Sequence, residues 1–484
     1  MNIHIPAQEI PVLAEADVVV CGGGSAGVST AVSAARTGAR VILLERWSSV
    51  GGMTTNGLVN GWHRSDKEKL VIHGLVEESC SRAEKHGWIW RDRRYPHAHE
   101  THWFEPEGMR IVWHRMLEEA KVRVFCHLPC GEPVVEGGRI RAVLVDTKQG
   151  RRAVTGRIFI DATGDGDIAA KAGVPFDRGR EEDGLGQSCT LIFALWGIDS
   201  EGRAKGGGDA AVEKVIARMT ELRNRGEFPP FAEALSGHFL RNARDGDMWN
   251  MLPVVGDILD EEKLTRMCVR AREQLVSYLE LWRREMPGFA EARIARTGSS
   301  LGLRESRRIR GRMRLEADMV LEARKQPDAL GHGVWMIDIH DPKGSGDTTH
   351  GEKTKDGWQS GDRAHTAKPA KRWLKPGTSY HIPYAMCLTN EISNLGVVGR
   401  CTSATHEALG SVRVQTHCQV MGQGVGTAAA IAVDRGLDLA DVPIRELQHR
   451  LKADGVYLED IPLDAPPNAN RRQSRLPERQ VPCL

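Results

Sequence analysis

The sequence predicts an α/β protein: a Rossmann-like, three-layer nucleotide-binding domain around a mostly parallel sheet, interrupted by an inserted α+β substrate domain. Three observations predict it. A β-branched strand, a glycine turn and a small-residue helix follow one another near the amino end, further strand-to-glycine segments recur at 158–173 and 395–436, and from about 186 to 385 the pattern changes to long amphipathic helices. A chain of 484 residues suits two packed domains, or one domain with a large insertion.

Asp17 to Cys21, DVVVC, reads as a short buried parallel strand. The turn GGGSAG follows, with Gly22, Gly24 and Gly27, and Ser25 and Ala26 open a helix, VSTAVSAARTG, that stops at Gly38. A second strand, RVILLE, ends in Glu45, eighteen residues beyond Gly27. Each part has a task in holding a dinucleotide. Gly22 permits the turn, Gly24 lets backbone approach a pyrophosphate, and Gly27 lets the helix lie close on the strand. The helix N-terminus offers unpaired N–H groups and a partial positive charge, and Glu45 is placed to accept from ribose hydroxyls.

Directly after Glu45 stand Arg46 and then Gly51, Gly52, Met53 and Thr54, in ERWSSVGGMTT. This resembles the flavoprotein superfamily that includes glutathione reductase, the fumarate reductase flavoprotein and the heterodisulfide reductase A-like proteins. IFIDATGDGDIAAKAG is similar to its second motif, which implies that Ala162, Thr163 and Gly164 touch the cofactor. LGVVGRCTSATHEALGSVRVQTHCQVMGQGVGTAAAIAVDRG is similar to its C-terminal motif. There a strand ends at Gly399 and Arg400, where many relatives carry Gly-Asp; the arginine is a departure from the carboxylate that usually contacts the ribityl chain. The segments GRCTSATHEALGSVRV, LRESRRI and IPY closely resemble the FAD-dependent oxidoreductases. The resemblance implies a Rossmann-like FAD-binding domain and one noncovalently bound FAD.

Gly410 and Ser411 read as a helix start, and Gly422, Gly424 and Gly426 with an alanine run leave one helix face almost bare. The amides of Ser411, Val412 and Arg413 are expected to meet the flavin O2 edge.

The 66 basic and 64 acidic side chains nearly cancel, which favours neither nucleic acid nor an anionic membrane and leaves a small-molecule substrate as the expected partner. The amino end lacks a signal-peptide pattern, and no apolar run of about 18 residues occurs. Ten scattered cysteines then read as reduced thiols in a cytoplasmic protein. A homo-oligomer is left open. No second GxGxxG and no CxxC occur, which argues against a pyridine nucleotide–disulfide reductase.

The expected organisation is a first part of the FAD-binding domain over 1–65, an aromatic and His-rich loop region over 66–108, a second part over 109–185, the substrate or cap domain over 186–385, a third part over 386–436, and a C-terminal helix and tail over 437–484. In the second part, 109–127 reads as a helix leading into a strand, and 139–146 with 153–161 as a hairpin-like pair. In the loop region His97, His99 and His102 are weighed as metal ligands and set aside for want of an acidic or cysteine cluster, so no metal is expected. Trp88, Trp90 and Trp103 either stack on a substrate ring or anchor the loop.

Flavin oxidation of a CH–OH or CH–NH group sends hydride to N5 and needs a base for the attached proton. His406, in SATHEALGS, is the first candidate, and His381 and Tyr380, in TSYHIPY, come next. His63 is considered as a covalent flavin attachment, with noncovalent binding preferred. Arg304 and Arg413 are candidate fixed charges for a substrate carboxylate or the reduced flavin, and Asp338 with His340 a candidate polar lining. Two alternatives stay open: a fumarate-reductase-like reduction of an activated double bond with arginine as proton donor, and a flavin-fold binding protein without turnover.

Overall fold

The computed structural model describes residues 3, 6–92, 101–229, 246–250, 252–340, 342, 353–354, 357–358 and 373–461. The elements that place the site are β1 (Val18–Cys21), α1 (Ser25–Arg36), β2 (Val41–Leu44), β3 (Arg123–Phe125), β4 (Ile158–Asp161), β5 (Ala329–Gly333), β6 (Tyr380–Pro383), β7 (Leu395–Val397), α2 (His406–Val412) and α3 (Gln415–Arg435). Five of the strands form one sheet in the order β7-β4-β1-β2-β3, every neighbouring pair parallel. Their carboxyl ends therefore share one edge, where loops leave the sheet and ligands of such folds bind.

Both faces of this sheet are covered, so its inner strands β1 and β2 are apolar at every position. Val18, Val20, Val41, Leu43, Ile158 and Ile160 face the helices. Val19, Cys21, Ile42, Leu44 and Phe159 face the opposite layer, a four-stranded sheet built from Val12–Glu15, Gly150–Thr155, Arg139–Thr147 and Cys130–Glu136. The expected pairing of 139–146 with 153–161 is corrected here. Residues 150–155 do pair antiparallel with 139–147, but 158–161 leave for the central sheet, because Gly156 and Arg157 interrupt the strand. The region 66–108, read as a loop, instead carries a helix, Leu75–Glu84, and two strands, Ile89–Asp92 and Thr101–Phe104, that form a small sheet with Gly61–His63. His97 and His99 lie outside the described residues. The inserted region has a core of its own, in which Trp249, Tyr278, Trp282 and Phe289 pack between the helices 208–224 and 261–285 and a three-stranded sheet.

On the helical face α3 lies along α1. A Cβ on Gly422 would fall 2.2 Å from Ala26 O, and one on Gly426 2.3 Å from Thr30 O. As the α3 number rises, so does that of its α1 partner, so the helices run parallel. Gln415 stands seven residues before Gly422, so the amino end of α3 overhangs that of α1 by about 10 Å at 1.5 Å per residue. Gly422→Val is expected to force this contact apart and cost about 1–3 kcal/mol, read as a lower urea midpoint; an unchanged midpoint would show that the helices do not touch there.

Candidate active site

Two groups of candidate site residues follow the carboxyl ends of these strands. The first surrounds the amino end of α1. Gly22 turns with φ of +104°, and a Cβ there would sit 2.4 Å from Ala162 O; on Gly27 it would sit 1.8 Å from Gly22 O. On Gly24, the residue before α1, it would meet nothing within 4 Å. The turn is thus closed underneath and bare on top. No side chain caps α1, so the amides of Gly24, Ser25, Ala26 and Gly27 face that bare surface without an intrahelical partner. Glu45, buried at 4% exposure, accepts from Gly23 N at 2.8 Å and Trp47 N at 2.9 Å. Burial raises its pKa against those bonds. Arg46 is exposed.

Gly51 and Gly52 run beside this turn: Gly24 bridges Gly51, Gly51 N donates to Gly23 O at 2.7 Å, and a Cβ on Gly52 would lie 3.0 Å from Gly24 Cα. Met53 follows, and Thr54 then ties the α1 turn to the start of α3. Its hydroxyl lies 2.8 Å from Ser25 Oγ and donates to Gln415 Oε1 at 2.7 Å, and Trp62 Nε1 donates to the same oxygen at 2.7 Å. Gln415 opens α3, whose first-turn amides at Gln415, Thr416 and His417 have no side-chain cap. This moves the expected helix start. Ser411 and Val412 close α2, and Arg413 N is spent on Leu409 O at 3.1 Å, so the open amides begin four residues later than the glycine–serine pair suggested. One turn into α3, both amide atoms of Gln419 are buried without a hydrogen-bond partner.

The third wall is the turn after β4. Asp161 is fully buried, accepts from Thr163 N and Oγ1 and from Ala169 N, and burial pushes it up to about 6. Gly164, at φ of +80°, would meet Arg400 with a Cβ at 3.2 Å. Arg400 follows Gly399, which also has positive φ. Its guanidinium donates to Asp165 Oδ1 at 2.6 Å and to Ser306 Oγ at 2.8 Å. Burial raises the Asp165 pKa, but Arg400 outweighs it and holds the carboxyl below its ordinary range. The departure from Gly-Asp therefore comes with a carboxylate from the neighbouring turn, a residue the sequence reading passed over.

The second group is built around α2. His406, its first residue, is buried, with Nδ1 2.8 Å from Glu305 Oε2 and 3.0 Å from Oε1. Glu305 is also paired with Arg308 and accepts from Gln187 N at 3.1 Å. A carboxylate only accepts, so the neutral ring carries its proton on Nδ1 and leaves Nε2 as the basic nitrogen. Seven residues on, one face and two turns away, Arg413 donates to Gln187 Oε1 at 3.3 Å and to Asp338 O at 2.9 Å. Its Nε is buried without a partner, as is Gln187 Nε2. Burial lowers the Arg413 pKa against the pull of Asp338 and Glu305. Asp338 Oδ2 also lies 3.3 Å from His340 Nε2, and the approach of this segment to α2 depends on Gly410, where a Cβ would fall 2.9 Å from Asp338 O. Glu305 was missed although its neighbour Arg304 was singled out.

Other expected residues lie elsewhere. Arg304 is buried with Nη1 on Ser188 O at 2.7 Å. Tyr380 is fully buried, its hydroxyl 2.9 Å from Ser411 Oγ, and burial pushes its phenol up; it supports the α2–α3 junction from within. His381 alternates to the opposite side of β6, against Asp460 at 3.0 Å, away from His406. His63 stacks on Trp335 with ring centres 3.6 Å apart and 15° between planes, and burial pushes it down to about 4. His102 and Trp103 are buried, and Trp103 packs on Gly61. Trp88 stacks on His86, and Trp90 is partly buried.

The family model described as FAD dependent oxidoreductase matches residues 17–451. Among solved structures, the chain is similar to a geranylgeranyl bacteriochlorophyll reductase-like protein from Thermoplasma acidophilum at 11% identity, over 91% of this chain and 84% of that one, with a TM-score of 0.41. It is similar to the flavin-dependent brominase Bmp2 at 11% identity, over 91% and 83% of the two chains, TM-score 0.43. It is also similar to the anhydrotetracycline hydroxylase OxyS from Streptomyces rimosus at 11% identity, over 91% and 65%, TM-score 0.44. No helix among the described residues is long and apolar enough to cross a membrane.

The open space above Gly24 and the filled space beside Gly27 separate binding from folding. Gly24→Val is expected to leave the thermal midpoint nearly unchanged and to abolish FAD retention, while Gly27→Val fails to fold. Full FAD occupancy in Gly24→Val, measured by cofactor release, would place the pyrophosphate elsewhere.

Proposed function

The chain belongs to the family of FAD-dependent oxidoreductases, and from that premise we propose that it is a dehydrogenase or oxidase acting on a CH–OH or CH–NH group of a small organic substrate. The residues fit the cofactor: bare amides at Gly24–Gly27 for the pyrophosphate, Glu45 for the adenosine ribose, and the uncapped amino end of α3, about 10 Å further along, for the ring. In this reading Met53, Thr54 and Ala162–Gly164 line the path between, and the Arg400–Asp165 pair lies against it. Bound FAD supplies a two-electron acceptor at N5. Binding is noncovalent in this reading.

The observation that carries the proposal is the buried Arg308–Glu305–His406 chain. His406 Nε2 takes the proton of the substrate hydroxyl or amine. Glu305 holds the ring in the tautomer that leaves this nitrogen basic and stabilises the imidazolium that forms, and Arg308 anchors Glu305. Arg413 and Gln187, with unspent N–H groups in the same group of residues, orient the substrate. A second reading rests on Arg413. Burial depresses its pKa, as a proton donor in the reduction of an activated double bond would require.

Anaerobic mixing of the oxidised protein with sugars, alcohols and amines should bleach the flavin absorbance. His406→Ala is expected to stay yellow and slow that bleaching by about 100-fold or more, the scale of general-base loss. Glu305→Gln should slow it less and move its pH profile. If only chemically reduced protein reacts, and only with enones or enoates, the second reading replaces the first.

A further inference from the structure

On the side of β5 and β6 away from α2, three polar side chains converge that the redox chemistry does not use. His332, on β5, and His381, on β6, stand opposite each other in the pairing of the two strands, 1% and 2% exposed. Their rings meet edge to face at 4.8 Å. Both turn Nε2 toward one carboxylate: His332 Nε2 lies 3.1 Å from Asp460 Oδ1 and His381 Nε2 3.0 Å from Asp460 Oδ2. The candidate donor atoms of the three residues all lie within 4.8 Å of one another.

We propose that His332, His381 and Asp460 form a binding site for a divalent transition-metal ion of the zinc type, structural in role and separate from the proposed flavin site. Imidazole and carboxylate donors suit such an ion. Bond lengths of about 2.0–2.1 Å put tetrahedral ligands about 3.4 Å apart, so the donors close in by at most about an ångström and a half. Asp460, partly exposed at 32%, has the freedom to move in. The outer nitrogens have the oxygen partners that metal-bound histidines use. His332 Nδ1 lies 2.8 Å from Ser379 Oγ. His381 Nδ1 lies 3.2 Å from Gln326 O and 3.0 Å from Gln326 N; metal on Nε2 selects the tautomer that donates to the carbonyl.

A cation already stands at the carboxylate. Lys325 Nζ is 2.7 Å from Asp460 Oδ2 and also donates to Ser379 O at 2.8 Å. Its side chain is half exposed, so it can swing into solvent as the ion enters, one positive group replacing another, with water as the fourth ligand. The ion would fasten Asp460 and the segment before it onto the β5–β6 hairpin, whose Tyr380 props Ser411 on the other side. No spacing rule gathers these residues, which are 49 and 79 positions apart, so they are not among the side chains weighed as ligands in the sequence.

The test is calorimetric titration of ZnCl2 into the full-length, chelator-treated protein with its flavin in place. Wild type should bind one equivalent more than His332→Gln/His381→Gln, with Kd about 1 μM or tighter, and gain thermal stability as it does. Lys325→Met should tighten this equivalent by removing its competitor, a result that a purely hydrogen-bonded cluster does not produce. Should the double variant not fold, Asp460→Asn replaces it. Wild type that takes up no more zinc than these variants, or none up to about 1 mM, overturns the proposal whatever the flavin does.

Discussion

Two helices can bring their amino ends to one edge of a sheet, side by side and pointing the same way, only if nothing projects between them. Gly422 and Gly426 of α3 meet the backbone of Ala26 and Thr30 at distances no side chain would allow. Gly27 does the same between α1 and the turn at Gly22. The electrostatic character of the site follows from this steric fact. Parallel helices in contact add their positive ends, and an axial offset of about 10 Å separates them into two poles, which the proposal assigns to the phosphates and to the ring. Thr54 and Gln415 connect the poles by hydrogen bonds, so a change at either is felt at both.

The proposed acid–base group sits on a different element and is held by different physics. His406, Glu305 and Arg308 come from α2 and from the LRESRRI segment, and a chain through Gln187 carries them to Arg413 and Asp338. Buried charges of this kind persist only when paired. Glu305 is bonded by an arginine, a histidine and a backbone amide, so it is fixed in place. The donors that remain without a partner, Arg413 Nε and Gln187 Nε2, mark where polarity is held in reserve near the proposed base.

What was legible in the sequence was local. A strand of four β-branched and apolar residues, a turn that only glycine can make at Gly22, and a helix without bulky side chains each announce themselves within a few residues. The inserted helices over 208–224 and 261–285 declared themselves by their length and periodicity. The start of α3 was misread because Gly410 and Ser411 look like a cap. In the folded chain Gly410 is needed for the approach of Asp338, and Ser411 answers to Tyr380 and Trp335. Non-local facts stayed hidden. Nothing in GLRESRRIRG tells which of its charged residues reaches His406, a hundred positions away, and alternation along TSYHIPY does not say which face of that strand looks toward α2. Tyr380 and His381 are neighbours in sequence and serve opposite sides of the sheet.

The central claim is that a dinucleotide, adenylate included, spans the two helix ends. The most direct measurement is the identity and amount of cofactor released when the purified protein, reconstituted with a mixture of FAD and FMN, is denatured in acid. One FAD per chain, freed without covalent remnant and with FMN excluded, is the result this structure predicts. Retention of FMN in its place, or no flavin at all from a folded protein, would mean that the amides at Gly24–Gly27 and the carboxylate of Glu45 hold no adenine nucleotide.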